Sequence, residues 1–368
     1  MTGERIYWVA ASLLPGLSPI AIKELIALAG SPEHLFGASG LVDIPSIKPA
    51  LRDELNSGRV IDRAIALLEE CQRQSITVVS IEEENYPYRL KECEDAPLVL
   101  YTKGYCSLNA DKILAVVGTR QATPYGRDLT QKLIRDIAVD FPDTLIVSGL
   151  AYGIDIIAHQ TAMEVGLPTA AVVAHGLQTI YPTPHRKYAN AITACNGLLI
   201  SELPLGAEPL PYRFVQRNRI VAGLCDACIV VESSEKGGSL HTAELGRDYN
   251  REVFAFPGRV GDAHSEGCNQ LISNLTAGLI QSAGDLIVKM GWKTRQKGPA
   301  KTTPSLFPEL SHTATQLLEY LSNKALSPQE LAAYTGTSRP EVQTTLIELE
   351  TMGLIEFLPG GSFRRILR

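Results

Sequence analysis

The sequence predicts an α/β protein built on a doubly wound parallel sheet, and three features carry that expectation. Beyond Lys112, short β-branched runs recur: ILAVVG, TLIVSG, TAAVVA, LLISE, ACIVVE, EVFAFPG and GLIQS, separated by stretches with helical periodicity. Strands that alternate with amphipathic helices form right-handed βαβ crossovers, which cover a parallel sheet on both faces. Glycine-rich segments follow several of the runs, at the strands' carboxyl ends, where open α/β sheets bind their ligands. The chain also has 368 residues, 45% hydrophobic and 20% charged, enough for two or three domains that each bury a core.

In chain order, the first hundred residues read as helices, with apolar positions at helical spacing through Ile20 to Leu28 and again through Val60 to Leu68. Residues 1–74 are expected to form a small helical domain of the SAM-like or helix-hairpin-helix-like kind. In LLPGLSPIAIKELI, Ser18 stands where a helix-hairpin-helix usually has its second glycine, so an ordinary helical turn is the simpler reading. Residues 75–291 hold the alternating runs and are expected to form a Rossmann-like domain. The stretch 292–311, rich in Pro, Thr and Lys and without periodicity, reads as a linker. Residues 312–368 offer three helical segments and a PGG between two strand-like runs, the pattern of a winged helix. Ser327 with Glu330, and Ser338 with Glu341, have capping-box spacing, and Pro328 sits at a first helical position, where its missing N–H costs nothing. The last of these helices sets Glu341, Glu348 and Glu350 against Arg339, a poor balance for reading DNA.

Composition narrows the function classes. No apolar run reaches the roughly 18 to 20 residues that span a bilayer, and Met1 to Arg5 opens no signal-peptide pattern, so a cytoplasmic protein without membrane contact is expected. The seven cysteines are scattered, mostly in apolar runs, as reduced core thiols are. Cys225 and Cys228 form a lone CxxC without the second ligand pair of a structural zinc site, so packing is expected there and no metal or cofactor. A net charge of -6 argues against a polybasic nucleic-acid coat but leaves room for a local basic groove.

The unusual chemistry lies in the loops. VVGTRQATPYG at 116–126 gives a glycine turn, Arg120 and small hydroxyl residues before a helix, and SGLAYGIDIIAH at 148–159 gives Ser148, Gly149 and Gly153 before another. Glycines admit a ligand close to the backbone, and a helix N-terminus offers it free N–H groups and a positive dipole end. Either loop alone also fits plain strand-to-helix packing. In QRNRIVAGL, Arg217 and Arg219 bracket Asn218; guanidiniums there can clamp phosphate, or form structural salt bridges, for instance to Glu202 or Asp226. EKGGSLHTAELG places Ser239 and Thr242 at a further helix start. Catalytic constellations are missing: His159, His175, His185 and His241 have no paired-ligand spacing, no GxSxG or GxxxxGK[ST] occurs, and Asp155, a conceivable partner for Glu244, also suits helix capping.

These loops resemble one family at seven ordered points: GTRQATPYG, SGLAYGIDIIAH, GLQTIYP, GLLISELPLG, RNRIVAGL, VVESSEKGGSLHTAELGR and VFAFPG. They occur in the order seen in the DNA-processing protein A (Smf) family, over roughly residues 75–285. The resemblance implies a Rossmann-like DNA-binding core without enzymatic activity, a homodimer, and a preference for single-stranded DNA. It also implies protection of incoming DNA and its delivery to the RecA recombinase in natural transformation. By position it implies DNA contacts at Arg120, Ser148, Gly149, Arg217, Asn218, Arg219, Ser239 and Thr242. Tyr152, among the expected DNA contacts, stands where the family often has a basic residue and there either stacks on a base or weakens the site; Val215 replaces a common proline, and His175 and Gln178 alter the GxGLDxxYP segment. GCNQLISNLTAGLI, an apolar helix before an edge-strand run, suits the dimer contact. GGSLHTAE also resembles the GGxGTxxE signature of nucleoside-monophosphate phosphoribohydrolases, with a shorter Thr-to-Glu spacing, which makes such an enzyme the alternative.

Overall fold

The computed structural model describes residues 3–36, 49–293, 311–322, 324–358 and 360–366. It divides into two compact units, Met1–Thr294 and Arg295–Arg368. Most of the expected linker lies outside the described residues.

The first unit is built on a sheet of nine strands: β1 Thr77–Ser80, β2 Val99–Gly104, β3 Ile113–Val117, β4 Leu145–Ser148, β5 Thr169–Val172, β6 Gly197–Ser201, β7 Ala227–Val230, β8 Glu252–Ala255 and β9 Gly278–Leu279. Their spatial order is β1-β2-β6-β5-β4-β3-β7-β8-β9. From β6 across to β9 every neighbouring pair is parallel, while β2 runs antiparallel to β6 and β1 antiparallel to β2. All seven runs read as strands are strands. Central ones such as ILAVV are buried at every position, which is why they read as continuous apolar runs and do not alternate. Strand order reverses beside β3, with β4 on one side and β7 on the other, and that switch point opens a crevice beyond the strand ends.

The helical reading of the first hundred residues holds for Gly3–Ser12, Pro19–Ala29, Pro49–Asn56 and Arg59–Arg73 but fails at β1 and β2. β2 depends on a partner far along the chain, where its Tyr101 pairs with Ser201 of β6, and β1 in turn pairs with β2. Trp8, Ala11, Val60 and Leu68 share one apolar cluster with Val78, Leu100 and Tyr101, and Arg5 grips Glu83 through two hydrogen bonds of 2.7 Å. Ser18 accepts from Ala21 N as an ordinary N-cap.

In the second unit, helices His312–Tyr320, Pro328–Thr335 and Arg339–Thr351 precede the hairpin of β10 Ile355–Leu358 and β11 Ser362–Arg365. Leu317, Leu331, Val342, Leu346, Leu349 and Ile355 form their own core. Ser327 and Glu330 make the expected capping box. Ser338 makes no side-chain cap, so the second expected box does not form. Glu341, Glu348 and Glu350 all face solvent.

Candidate nucleic-acid interface

Three loops and one helix meet at the switch point. After β3, Thr119 N–H donates to the Glu232 carbonyl at 2.7 Å, and the Glu232 carboxylate accepts from Thr123 N at 2.9 Å and Thr123 Oγ1 at 2.5 Å. Thr123 caps the helix Pro124–Asp140. Gly126 in its first turn leaves room for that carboxylate, since a Cβ there would sit 2.1 Å from Glu232 Oε2 and displace it. Glu232, almost wholly buried after β7, thus ties two loops together and leaves Arg120 facing solvent. Sequence reasoning passed over Glu232; it follows a strand run like many acidic residues, and only the long-range hydrogen bonds single it out.

After β4, Gly149 makes room for Arg217: an added Cβ would lie 2.0 Å from Arg217 Nη1 and 2.4 Å from Asp155 Oδ2. Gly153, at φ 77°, presses against the Thr119 carbonyl and the Arg120 backbone, and so seats Tyr152 beside Arg120. Arg217, on the helix Pro211–Leu224, is 7% exposed, and its Nε has no hydrogen-bond partner. Burial pushes its pKa down, and the nearby Asp155 opposes that shift. Burial pushes the Asp155 carboxyl up, against the pull of Arg217, the Ala151 N–H and Ser148. A guanidinium that lines a cleft while burial strips it of water is suited to an anion.

The cleft measures about 430 Å³ and gathers Arg120, Gly149, Arg217, Asn218, Ser239 and Thr242. Ser239 and Thr242 lie in the opening turns of the helix Gly238–Asp248, and Ser239 donates to Ser233 Oγ at 2.9 Å. Tyr152 lies in an adjoining hollow of about 110 Å³, with Arg120, Arg217, Tyr181 and Phe214. Tyr181 and Phe214 are 5.5 Å apart between ring centroids, and the Arg120 guanidinium is 5.8 Å from the Phe214 ring. Tyr181 and Phe214 were not foreseen; their signal was an aromatic beside each of two loop motifs.

Two expected contacts stand apart. Ser148 is fully buried and donates to the Val116 carbonyl at 2.6 Å, inside the sheet. Arg219 turns to the other side of its helix, where it donates to the Glu202 carboxylate and the Asp95 carbonyl and lies 3.8 Å from the Asp95 carboxylate. The structural alternative weighed for this arginine is therefore the contact observed, with Glu202; Asp226 instead pairs with Arg89 at 2.7 Å.

The histidines have structural partners. His159 Nε2 lies 2.5 Å from the Gly149 carbonyl and Nδ1 2.7 Å from Thr169 Oγ1, and burial pushes its pKa down to about 4. His175 accepts from Tyr181 N, and His185 Nδ1 lies 2.9 Å from the Leu150 carbonyl. Glu244 is exposed beside His241, while Asp155 is buried under Arg217, so the two carboxylates occupy different environments. Cys225 and Cys228 are buried, and burial pushes their thiols up, Cys225 to about 12. Among the described residues no group of three His, Cys, Asp or Glu is placed to hold a metal, and no helix is long and apolar enough to cross a membrane.

Fold and site define a doubly wound α/β protein with an open, arginine-lined cleft, followed by a winged-helix unit. The sequence pattern of the family described as DNA recombination-mediator protein A matches residues 77–291, and that of the DprA winged helix domain matches 300–361. The chain belongs to the DNA-processing protein A (DprA/Smf) family. It is 34% identical to Protein Smf of Escherichia coli across 78% of this chain and 77% of that one, and 30% identical to Protein Smf of Synechocystis across 98% and 99%. Among solved structures, DNA processing protein A of Streptococcus pneumoniae superposes with a TM-score of 0.62 at 31% identity, covering 77% of this chain and 97% of that one. DNA processing protein A of Helicobacter pylori, whose structure is described for its single-stranded DNA binding mode, superposes at 0.53 with 32% identity, covering 60% and 97%.

Proposed function

We propose that this chain binds single-stranded DNA through the cleft at the switch point, and that it shields incoming DNA and delivers it to the RecA recombinase in natural transformation. The observation that carries the reading is the pairing of Arg120 and Arg217 with the rings of Tyr152, Tyr181 and Phe214 at one sheet edge. Cations and a helix N-terminus attract phosphate, while rings offer platforms to bases that are not already stacked in a duplex. We assign the contact to 75–291, where every cleft residue lies, and give Ser148 and Arg219 supporting roles behind it. The remaining expected contacts, Gly149, Asn218, Ser239 and Thr242, line the cleft and are kept as part of the site.

Binding without turnover fits a cleft whose lining holds one carboxylate, Asp155, which accepts from Ala151 N and feels the charge of Arg217. Glu244 in solvent weighs against the phosphoribohydrolase alternative. A cytoplasmic homodimer completes the proposal, and the edge strand β9 with exposed Leu275 and Leu279 suits the contact. Gel retardation with single-stranded, duplex and RNA oligonucleotides tests the reading. It predicts tightest retention of single-stranded DNA with no product; equal duplex binding, or release of free base from nucleotides, would refute it.

A further inference from the structure

Across Arg120 from the cleft lies a larger hollow of about 570 Å³, lined by Tyr152, Arg127, Lys187, His185 and Tyr188 with Arg120 as the shared wall. We infer that it is a second nucleotide subsite, so that a bound strand crosses Arg120 and continues along the outer face of the sheet's helices; the inference rests on the single-strand reading above. Three cationic side chains face this hollow and no carboxylate lines it. Such a surface attracts the phosphodiester backbone.

Its rings are held in place. His185, anchored to the Leu150 carbonyl at 2.9 Å, meets Tyr152 edge-on at 4.5 Å and 68°, and Tyr188 at 5.6 Å and 79°. The Lys187 ammonium sits 4.8 Å from the Tyr188 ring centroid. A charge beside an aromatic face on each side of one arginine is the arrangement a single strand uses, with phosphate on the cation and base on the ring. Arg127 and Lys187 project from two helices, Pro124–Asp140 and Arg186–Ala194, and both are exposed, so substituting them leaves the core intact.

The test is a length series of oligothymidylates, from about 4 to about 20 nucleotides, against the full chain and its Arg127→Ala/Lys187→Ala double variant. The inference predicts equal affinity for the shortest oligomers that bind. For the longest it predicts about a tenfold deficit in the variant, with a salt slope shallower by about 1.4, two phosphate contacts' worth. Lys187→Arg should bind as the parent does. Equal affinity and slope at every length, or an equal deficit at every length, overturns the second subsite. Failure of the parent chain to bind any length instead overturns the single-strand reading itself.

Discussion

The two faces of the helix Pro211–Leu224 treat two neighbouring arginines in opposite ways. Two residues advance a helix by about 200°, so Arg217 and Arg219 cannot share a face. Arg217 lines the cleft with Asp155 and Arg120 as its charged neighbours; Arg219 is locked to Glu202 and Asp95. Asp95 also accepts from Tyr249 at 2.7 Å, so the Arg219 side fastens the segment before β2 to the sheet's helices. One short motif thus supplies a ligand-facing cation and a structural one, and only the partners on each face separate them.

The largest effect should come from the structural face. Arg219→Ala leaves the mostly buried Glu202 carboxyl without its cation, and breaking such a pair costs about 3–5 kcal/mol. Thermal or denaturant unfolding should show that loss, while the folded fraction still binds DNA. A variant as stable as the parent would mean that the pair contributes little and that the two faces do not differ in kind.

The cleft face depends next on a neutral histidine. His159 holds the Gly149 carbonyl from below with a folded-state pKa of about 4 against an ordinary 6.5. Because the folded value is the lower one, its contribution is complete above about pH 6.5. It is lost as pH falls toward 4, up to roughly 3 kcal/mol over that interval. Urea midpoints measured across that range should fall more steeply in the parent than in a folded variant with His159 replaced by Gln; parallel curves would remove His159 from the account.

A smaller effect separates rings from charges. Tyr152→Ala should weaken single-strand binding by about 1–3 kcal/mol while leaving the salt slope almost unchanged, as stacking does. A slope change like that of an arginine variant would show that the ring acts by shaping Arg120 instead.

The sheet was legible because parallel strands such as ILAVV and LIVS are buried at every position and almost wholly apolar, and local texture alone marks them. β2 escaped because its antiparallel partner β6 lies about a hundred residues away, and β1 because it is an edge strand that pairs with β2. At the site, Arg120, Gly149, Arg217, Asn218, Ser239 and Thr242 come together as their loops suggested. Helical spacing implied that Arg217 and Arg219 part, and Glu202 was a conceivable partner; which arginine meets Glu202 and Asp95 was not legible, because no local pattern decides it. Glu232, Tyr181 and Phe214 were missed for the same reason, since their partners come from other loops.

The central claim, that phosphate meets the Arg217 face and not the Arg219 face, is tested most directly by the salt dependence of oligothymidylate affinity in Arg217→Ala beside Arg219→Ala. The account predicts that the first flattens the slope of log affinity against log salt by about 0.7, one contact to a single strand, and that the second, measured on folded protein, leaves it unchanged. An unchanged slope in a folded Arg217→Ala variant, or the same flattening in both, would contradict it.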